Sequence, residues 1–301
     1  MLSGNREANL SRQSSTPLTI LEGVSQWQLL GKLASAALLA EVRLTPKPAL
    51  VDMRGSGAHN DLTLDSMIRS ALALEPFFQE MARIASGAHP SISLREKLAE
   101  CGRRGEVAMR QATGGGNSHR GAIWCIGLLV AAAAIHRVAA SALELAETAA
   151  LLAAFSDRNA PQLNTHGQVV KRTYGVMGAR EEAQLGFPRV VKIGLPHLIG
   201  RRQEGAPESS CRLDAMLAIM GTLDDTCLLY RGGLPALETA KNGARAIIAL
   251  GGTNTANGMA RLFQLDRELI ELNASPGGSG DLLAATLFLD SLESTTMTQI
   301  S

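Results

Sequence analysis

The chain has 301 residues, 46% hydrophobic, 3% aromatic and 19% charged, with 29 Lys and Arg against 28 Asp and Glu for a net charge of +1. That length accommodates one large domain or two small ones, and the apolar fraction excludes a wholly disordered chain. The balanced charge lacks the basic excess of a nucleic-acid binder, and 2 Trp, 2 Tyr and 6 Phe leave few stacking platforms, so no polynucleotide partner is expected.

The first 22 residues are polar, lack an apolar signal core and read as a flexible N-terminal segment ahead of one helical domain over 23–301. The spacing of apolar residues predicts a helix over 26–44, ended by Thr45-Pro46-Lys47-Pro48. Further helices are predicted over 63–86, after an Asp61 cap, and over 94–111. The stretch 121–155 reads as one long apolar helix or a helical pair bent near His136. Its most apolar part, 122–134, is too short for the about 20 residues that span a bilayer. The run 189–193 (RVVKI) is the one strand-like stretch. Helices over 212–230, 234–250, 255–272 and 281–292 complete an all-α fold of about eight or more helices, with no internal repeat. Cys101, Cys125, Cys211 and Cys227 show no metal-ligand spacing and read as reduced, buried thiols of a cytoplasmic protein.

Polar chemistry is concentrated in glycine-rich segments between these bland Ala/Leu helices, the usual placement of an active site. The first segment, 45–61, places Lys47, Asp52, Arg54, His59 and Asp61 within one loop whose Gly55 and Gly57 allow close backbone approach. In the second, Gly114, Gly115, Gly116, Asn117, Ser118, His119 and Arg120 precede an apolar helix, so exposed N–H groups and a positive dipole end suit phosphate. It is not a Walker A loop. The third, 173–188, offers Arg180 as a substrate clamp and Glu182 as a base. The fourth contains Asp224 and Asp225 in an apolar run, where adjacent carboxylates need a cation or an arginine such as Arg231. On one continuous helix Asp214 and Asp225 would share a face, and a Mg²⁺ ion with phosphate oxygens in its shell would suit such carboxylates. In the fifth, Gly277 and Gly278 lead to Asp281, a helix cap or a further ligand.

The segments TPKPALVDMRGSGAHNDL, GGGNSHRGAIWCIGLL, TYGVMGAREEAQLGFPRV, GTLDDTCLLYRGG and SPGGSGDLLAATLFLD occur in that order. Together they resemble the triphosphoribosyl-dephospho-CoA synthase family, over 29–292. The wording PALVDMRGSGAH is closer to the malonate decarboxylase branch than to the citrate branch. The family's glycine-loop motif more often reads Asn-Thr-His-Lys-Gly; here Ser118 keeps the hydroxyl and Arg120 the charge, although Arg and Lys bind phosphate differently.

The resemblance implies transfer of the triphosphoribosyl group of ATP to the ribose 2′-hydroxyl of 3′-dephospho-CoA, with release of adenine. A separate transferase would pass the product to the decarboxylase acyl carrier protein. On this reading Lys47, Arg54, Arg120, Arg180 and Arg231 bind substrate with the glycine loops, and Asp224 and Asp225 hold Mg²⁺. Asp52, Asp61 or Glu182 supplies a base or steadies positive charge at the sugar carbon, and His59 or His119 assists adenine departure. The competing class is another Mg²⁺-dependent helical enzyme acting on a polyphosphate, of the isoprenoid-synthase kind. One Asp-Asp pair and few aromatics weaken that reading.

Overall fold

The computed structural model describes residues 25–137, 140–161 and 165–300, with side chains to 295. The proposed flexible segment 1–22 lies outside the described residues. Twelve α-helices are found among the described residues: α1 (Gln26–Arg43), α2 (Leu64–Ala85), α3 (Ile92–Thr113), α4 (Arg120–Ile135), α5 (Ala142–Ala154), α6 (His166–Tyr174), α7 (Ala179–Gln184), α8 (Leu195–Gln203), α9 (Glu208–Met220), α10 (Thr226–Ala249), α11 (Ala256–Glu271) and α12 (Gly277–Ile300). The all-α expectation holds, and the only β pairing among the described residues is an isolated bridge between Asp52 and Gly55. No helix among the described residues is long and apolar enough to cross a membrane.

Helix α4 explains the arrangement. Its sequence, RGAIWCIGLLVAAAAI, is apolar on every side, so it must be surrounded. Helices α1, α2, α3, α5, α7 and α12 pack around it, while α12 also meets α1 and α9. Local signals start the outer helices. Ser25 with Gln28, Thr63 with Ser66 and Ser141 with Glu144 form capping boxes at α1, α2 and α5.

Several boundaries differ from expectation. Thr63, not Asp61, caps α2. The chain breaks after α4, where His136 Nε2 lies 2.7 Å from Thr148 Oγ1 of α5. The strand-like run 189–193 instead belongs to a π-helical turn, Val190–Gly194, where packing overrides β-branched propensity. The predicted helix 212–230 is two helices: α9 ends at Met220, and Asp225 caps α10 through the Cys227 N–H at 2.9 Å. That break removes the shared face of Asp214 and Asp225. Asp214 is instead buried against Arg201 Nε at 2.8 Å and the Thr253 N–H at 2.8 Å.

Candidate active site

A cavity of about 1020 Å³ opens where the loop after α1 meets the N-terminal ends of α4, α10 and α12. This exceeds the space a single drug-sized ligand fills. Helix N-termini carry partial positive charge and N–H donors that favour an anion; Asp225 takes the first amides of both α10 and α12, so the α4 end is the one left to a polyanion. At α4 the N-cap His119 makes no side-chain cap bond, and Asp281 takes the Ala122 N–H, so the Arg120 and Gly121 amides are the ones left to a ligand.

The loop is held from both ends. Arg231 donates to the Ala58 carbonyl at 2.6 Å, the Asn273 carbonyl at 3.1 Å and His59 Nδ1 at 3.2 Å. His59 Nε2 lies 2.8 Å from Ser275 Oγ. Burial and the Arg231 charge both hold His59 below the usual histidine range, so it is neutral at pH 7. Gly57 has φ +56, and a Cβ there would overlap the Ala49 carbonyl, so glycine is required.

Asp52 and Arg54 do not line the cavity. Asp52 is 2% exposed, and its oxygens accept from the Lys47 N–H at 2.8 Å, the Arg54 N–H at 2.8 Å and Arg54 Nε at 2.9 Å. Arg54 continues to Asp266 of α11 at 2.8 Å. These two residues fold the loop. Gly115, Gly116 and Arg180 also lie off the cavity. Glu182 lines it, but both its oxygens are held by Arg189, through the backbone N–H at 2.9 Å and the guanidinium.

The remaining anticipated residues converge. Lys47, His59, Asp61, Asn117, Ser118, His119, Arg120, Asp224, Asp225, Arg231, Gly277 and Gly278 all line the cavity. Lys47 is 1% exposed, and its ammonium is 2.7 Å from Glu41 Oε1 and 2.8 Å from the Glu41 carbonyl. His119 is fully buried, with Nδ1 2.7 Å from Ser70 Oγ and Nε2 without a protein partner. Burial, then Lys47, lowers its pKa to about 3, so this imidazole is neutral too.

The match to known proteins agrees with that geometry. The family model described as CitG, ATP:dephospho-CoA triphosphoribosyl transferase, matches residues 27–299. A Pseudomonas paraeruginosa protein named "Probable 2-(5''-triphosphoribosyl)-3'-dephosphocoenzyme-A synthase" is 54% identical over 266 residues, 88% of this chain and 91% of the relative. Pseudomonas fluorescens and Azotobacter vinelandii proteins of the same name are 53% identical over 283 residues and 52% over 263. The first covers 94% of this chain and 95% of the relative, the second 87% and 90%. No solved structure matches the chain.

The chain belongs to the CitG family. It is a transferase, and its resemblance at the level of motifs extends to the whole helical body. What the family match leaves open is how each side chain is used. Asp224 and Asp225 do not form a cation site as arranged: Lys241 lies 2.7 Å from Asp224 Oδ1. Asp225 is buried and accepts from the Cys227, Gly278 and Ser279 N–H groups and from Ser279 Oγ. These bonds fill its acceptor sites. Among the described residues no three His, Cys, Asp or Glu side chains gather to hold a metal ion.

Sequence reasoning missed Glu41, His166 and Tyr230 as cavity residues, and left Asp281 open between a helix cap and a ligand. Glu41 carries a legible signal, a lone acid on the buried face of α1 among Leu38 and Val42. Asp281 is not the cap of α12, which begins at Gly277. Its carboxylate fills the space above Gly121, where a Cβ would overlap Oδ2, and it takes a hydrogen bond from the Ala122 N–H. His166 and Tyr230 stack with ring centroids 3.6 Å apart at the cavity wall.

Proposed function

We propose that this chain transfers the 5-triphosphoribosyl group of ATP to the ribose 2′-hydroxyl of 3′-dephospho-CoA and releases adenine. The observation that carries the reading is one cavity, of a size for two nucleotide-like ligands, that combines the α4 N-terminus, Arg120 and Arg231 with carboxylates. A polyphosphate must be gripped there without activation of its terminal phosphorus, since the bond that breaks is at the ribosyl C1. The product's α link against the β bond of ATP corresponds to a single displacement with inversion.

The α4 N-terminus, with Asn117, Ser118 and Arg120, is suited to the phosphates. His119 lines the same cavity as an uncharged imidazole. Of the three anticipated carboxylates, Asp52 and Glu182 are spent on Lys47, Arg54 and Arg189. Asp61 has its Oδ1 3.5 Å from His59 and is 54% exposed, so it is the residue that can take the proton of the attacking hydroxyl. Mg²⁺ is assigned no protein ligand in this reading and accompanies ATP as its counter-ion. The wording of 48–59 supports the malonate branch, with a separate transferase to receive the product for an acyl carrier protein.

The test is chromatographic: purified protein with ATP, Mg²⁺ and 3′-dephospho-CoA. The expected result is free adenine only when both substrates are present, with one adduct per adenine by mass. ADP or pyrophosphate in place of adenine would overturn the glycosyl-transfer reading.

A further inference from the structure

The cavity contains a carboxyl group that the reading above leaves unused. Asp281 lies in the first turns of α12 and lines the cavity, with the Ala122 N–H as its hydrogen-bond donor. It makes no ion pair among the described residues, although most acids near this cavity do: Glu41 has Lys47, Asp224 has Lys241 and Glu182 has Arg189. The charged and titratable groups that bear on it from its neighbours are Glu41 of α1, Asp225 at the start of α10, and the thiols Cys125 of α4 and Cys227 of α10. Lys47 is already bound to Glu41. Asp281 is thus a carboxyl group between two other carboxylates, with no cation in contact.

Glycines make that crowding possible. Gly121 leaves the space for Asp281, and a Cβ on Gly280 would lie 3.1 Å from Glu41 Oε1. One on Gly278 would lie 3.0 Å from Asp225 Oδ1. Burial first, then Glu41 and Asp225, raises the Asp281 pKa well above the ordinary aspartate range. The group is therefore protonated under conditions in which an exposed aspartate is not. Such a group is a proton donor.

We propose that Asp281 is the general acid that protonates the departing purine. This rests on the glycosyl-transfer reading. As the C1′–N9 bond breaks, its electron pair goes to the purine, and the Asp281 carboxyl proton passes to a ring nitrogen of the base. The acceptor hydroxyl oxygen forms the new bond to C1′. Its proton passes to Asp61 and returns through water to the Asp281 carboxylate, which restores the acid. His59 and His119 are neutral and act as hydrogen-bonding groups, not as the acid.

The experiment compares wild type and Asp281→Asn on two donors, ATP and N7-methyl-ATP, whose base carries a fixed positive charge and leaves without a proton. With ATP the variant should lose about 10²–10⁴-fold in kcat, the usual range for removal of a general acid. With N7-methyl-ATP it should stay within about tenfold of wild type on the same donor, because that step no longer needs the acid. Wild type should also lose rate toward alkaline pH with ATP, as the acid gives up its proton, and not with N7-methyl-ATP. Equal loss on both donors, with circular dichroism unchanged, would overturn the proposal in favour of substrate or cation binding by Asp281. An unchanged rate on ATP would overturn it as well. Wild type that releases no adenine from ATP and 3′-dephospho-CoA would instead remove the glycosyl-transfer reading itself.

Discussion

Gly121 and Asp281 occupy one space: the second residue of α4 lacks a side chain where the α12 carboxylate sits. The surrounded helix α4 and its neighbour α12 therefore meet at the cavity through a glycine and an acid. A methyl group at 121 must displace the carboxylate or part the helices.

This leads to the first prediction. Gly121→Ala should lower kcat by at least tenfold through displacement of Asp281. Alanine is the better helix former by up to about 1 kcal/mol, which offsets part of the clash, so the thermal midpoint should change by only a few degrees. Assay of adenine release beside a thermal melt separates the two effects. Unfolding at room temperature would show that the contact is structural first.

Lys47 and Glu41 form a buried ion pair at 2.7 Å with side chains 1% and 7% exposed. Removal of one partner leaves a charge in the interior, which costs about 3–5 kcal/mol. Lys47→Met and Glu41→Leu should each destabilise by that order in denaturant melts. The double variant should recover much of the stability, since an apolar pair of similar volume can replace a buried ion pair. It should not recover adenine release, because the cavity loses both charges. Additive destabilisation in the double variant would contradict the pairing.

The early helices are legible because local chemistry agrees with packing: Ser25 and Thr63 announce α1 and α2, and the apolar run 122–134 identifies a surrounded helix. The loop 45–61 is legible as a dense polar segment, but not the division of labour within it. Asp52 and Arg54 hold the loop's own backbone, while Lys47, His59 and Asp61 face the cavity. Nothing in the spacing distinguishes these uses. The break after Met220 is hidden by an apolar run without proline, so Asp214 and Asp225 looked like one site when Arg201 and the α12 amides claim them separately. Asp281 is legible as a polar residue after a glycine run, but its crowding is visible only in three dimensions, since its neighbours Glu41 and Asp225 come from segments far apart in sequence.

Acid sensitivity should centre on Glu208. Hydrogen bonds from Arg202, then Arg212, bring its carboxyl down to about 2 from 4.5. A depressed folded pKa means the stabilisation is present above 4.5 and is lost as pH falls from 4.5 toward 2. Its side chain is 42% exposed, so solvent screening limits the effect to about 1 kcal/mol. Glu208→Gln should melt roughly 2 °C below wild type at pH 7, with the gap narrowing below pH 4.5 and closing only toward pH 2. A gap that persists at low pH would assign the effect to shape, not charge.

The stacked pair His166 and Tyr230 bears on purine recognition. Both rings reach the cavity wall, their planes are 14° apart, and Tyr230 is 45% exposed. Neither ring is needed by the core, so the pair is available to a flat ligand. Burial, then the Arg120 charge, keeps His166 below the usual histidine range, so it is neutral at pH 7 and stacks as an uncharged ring. Stacking of a base on an aromatic ring contributes about 1–3 kcal/mol. Tyr230→Ala should therefore raise the KM of one purine substrate by about 5–150-fold while the other changes little, and Tyr230→Phe should restore it. The thermal midpoint should move by less than about 2 °C, as for other exposed positions. Equal KM values for wild type and Tyr230→Ala on both ATP and 3′-dephospho-CoA would exclude these rings from base recognition.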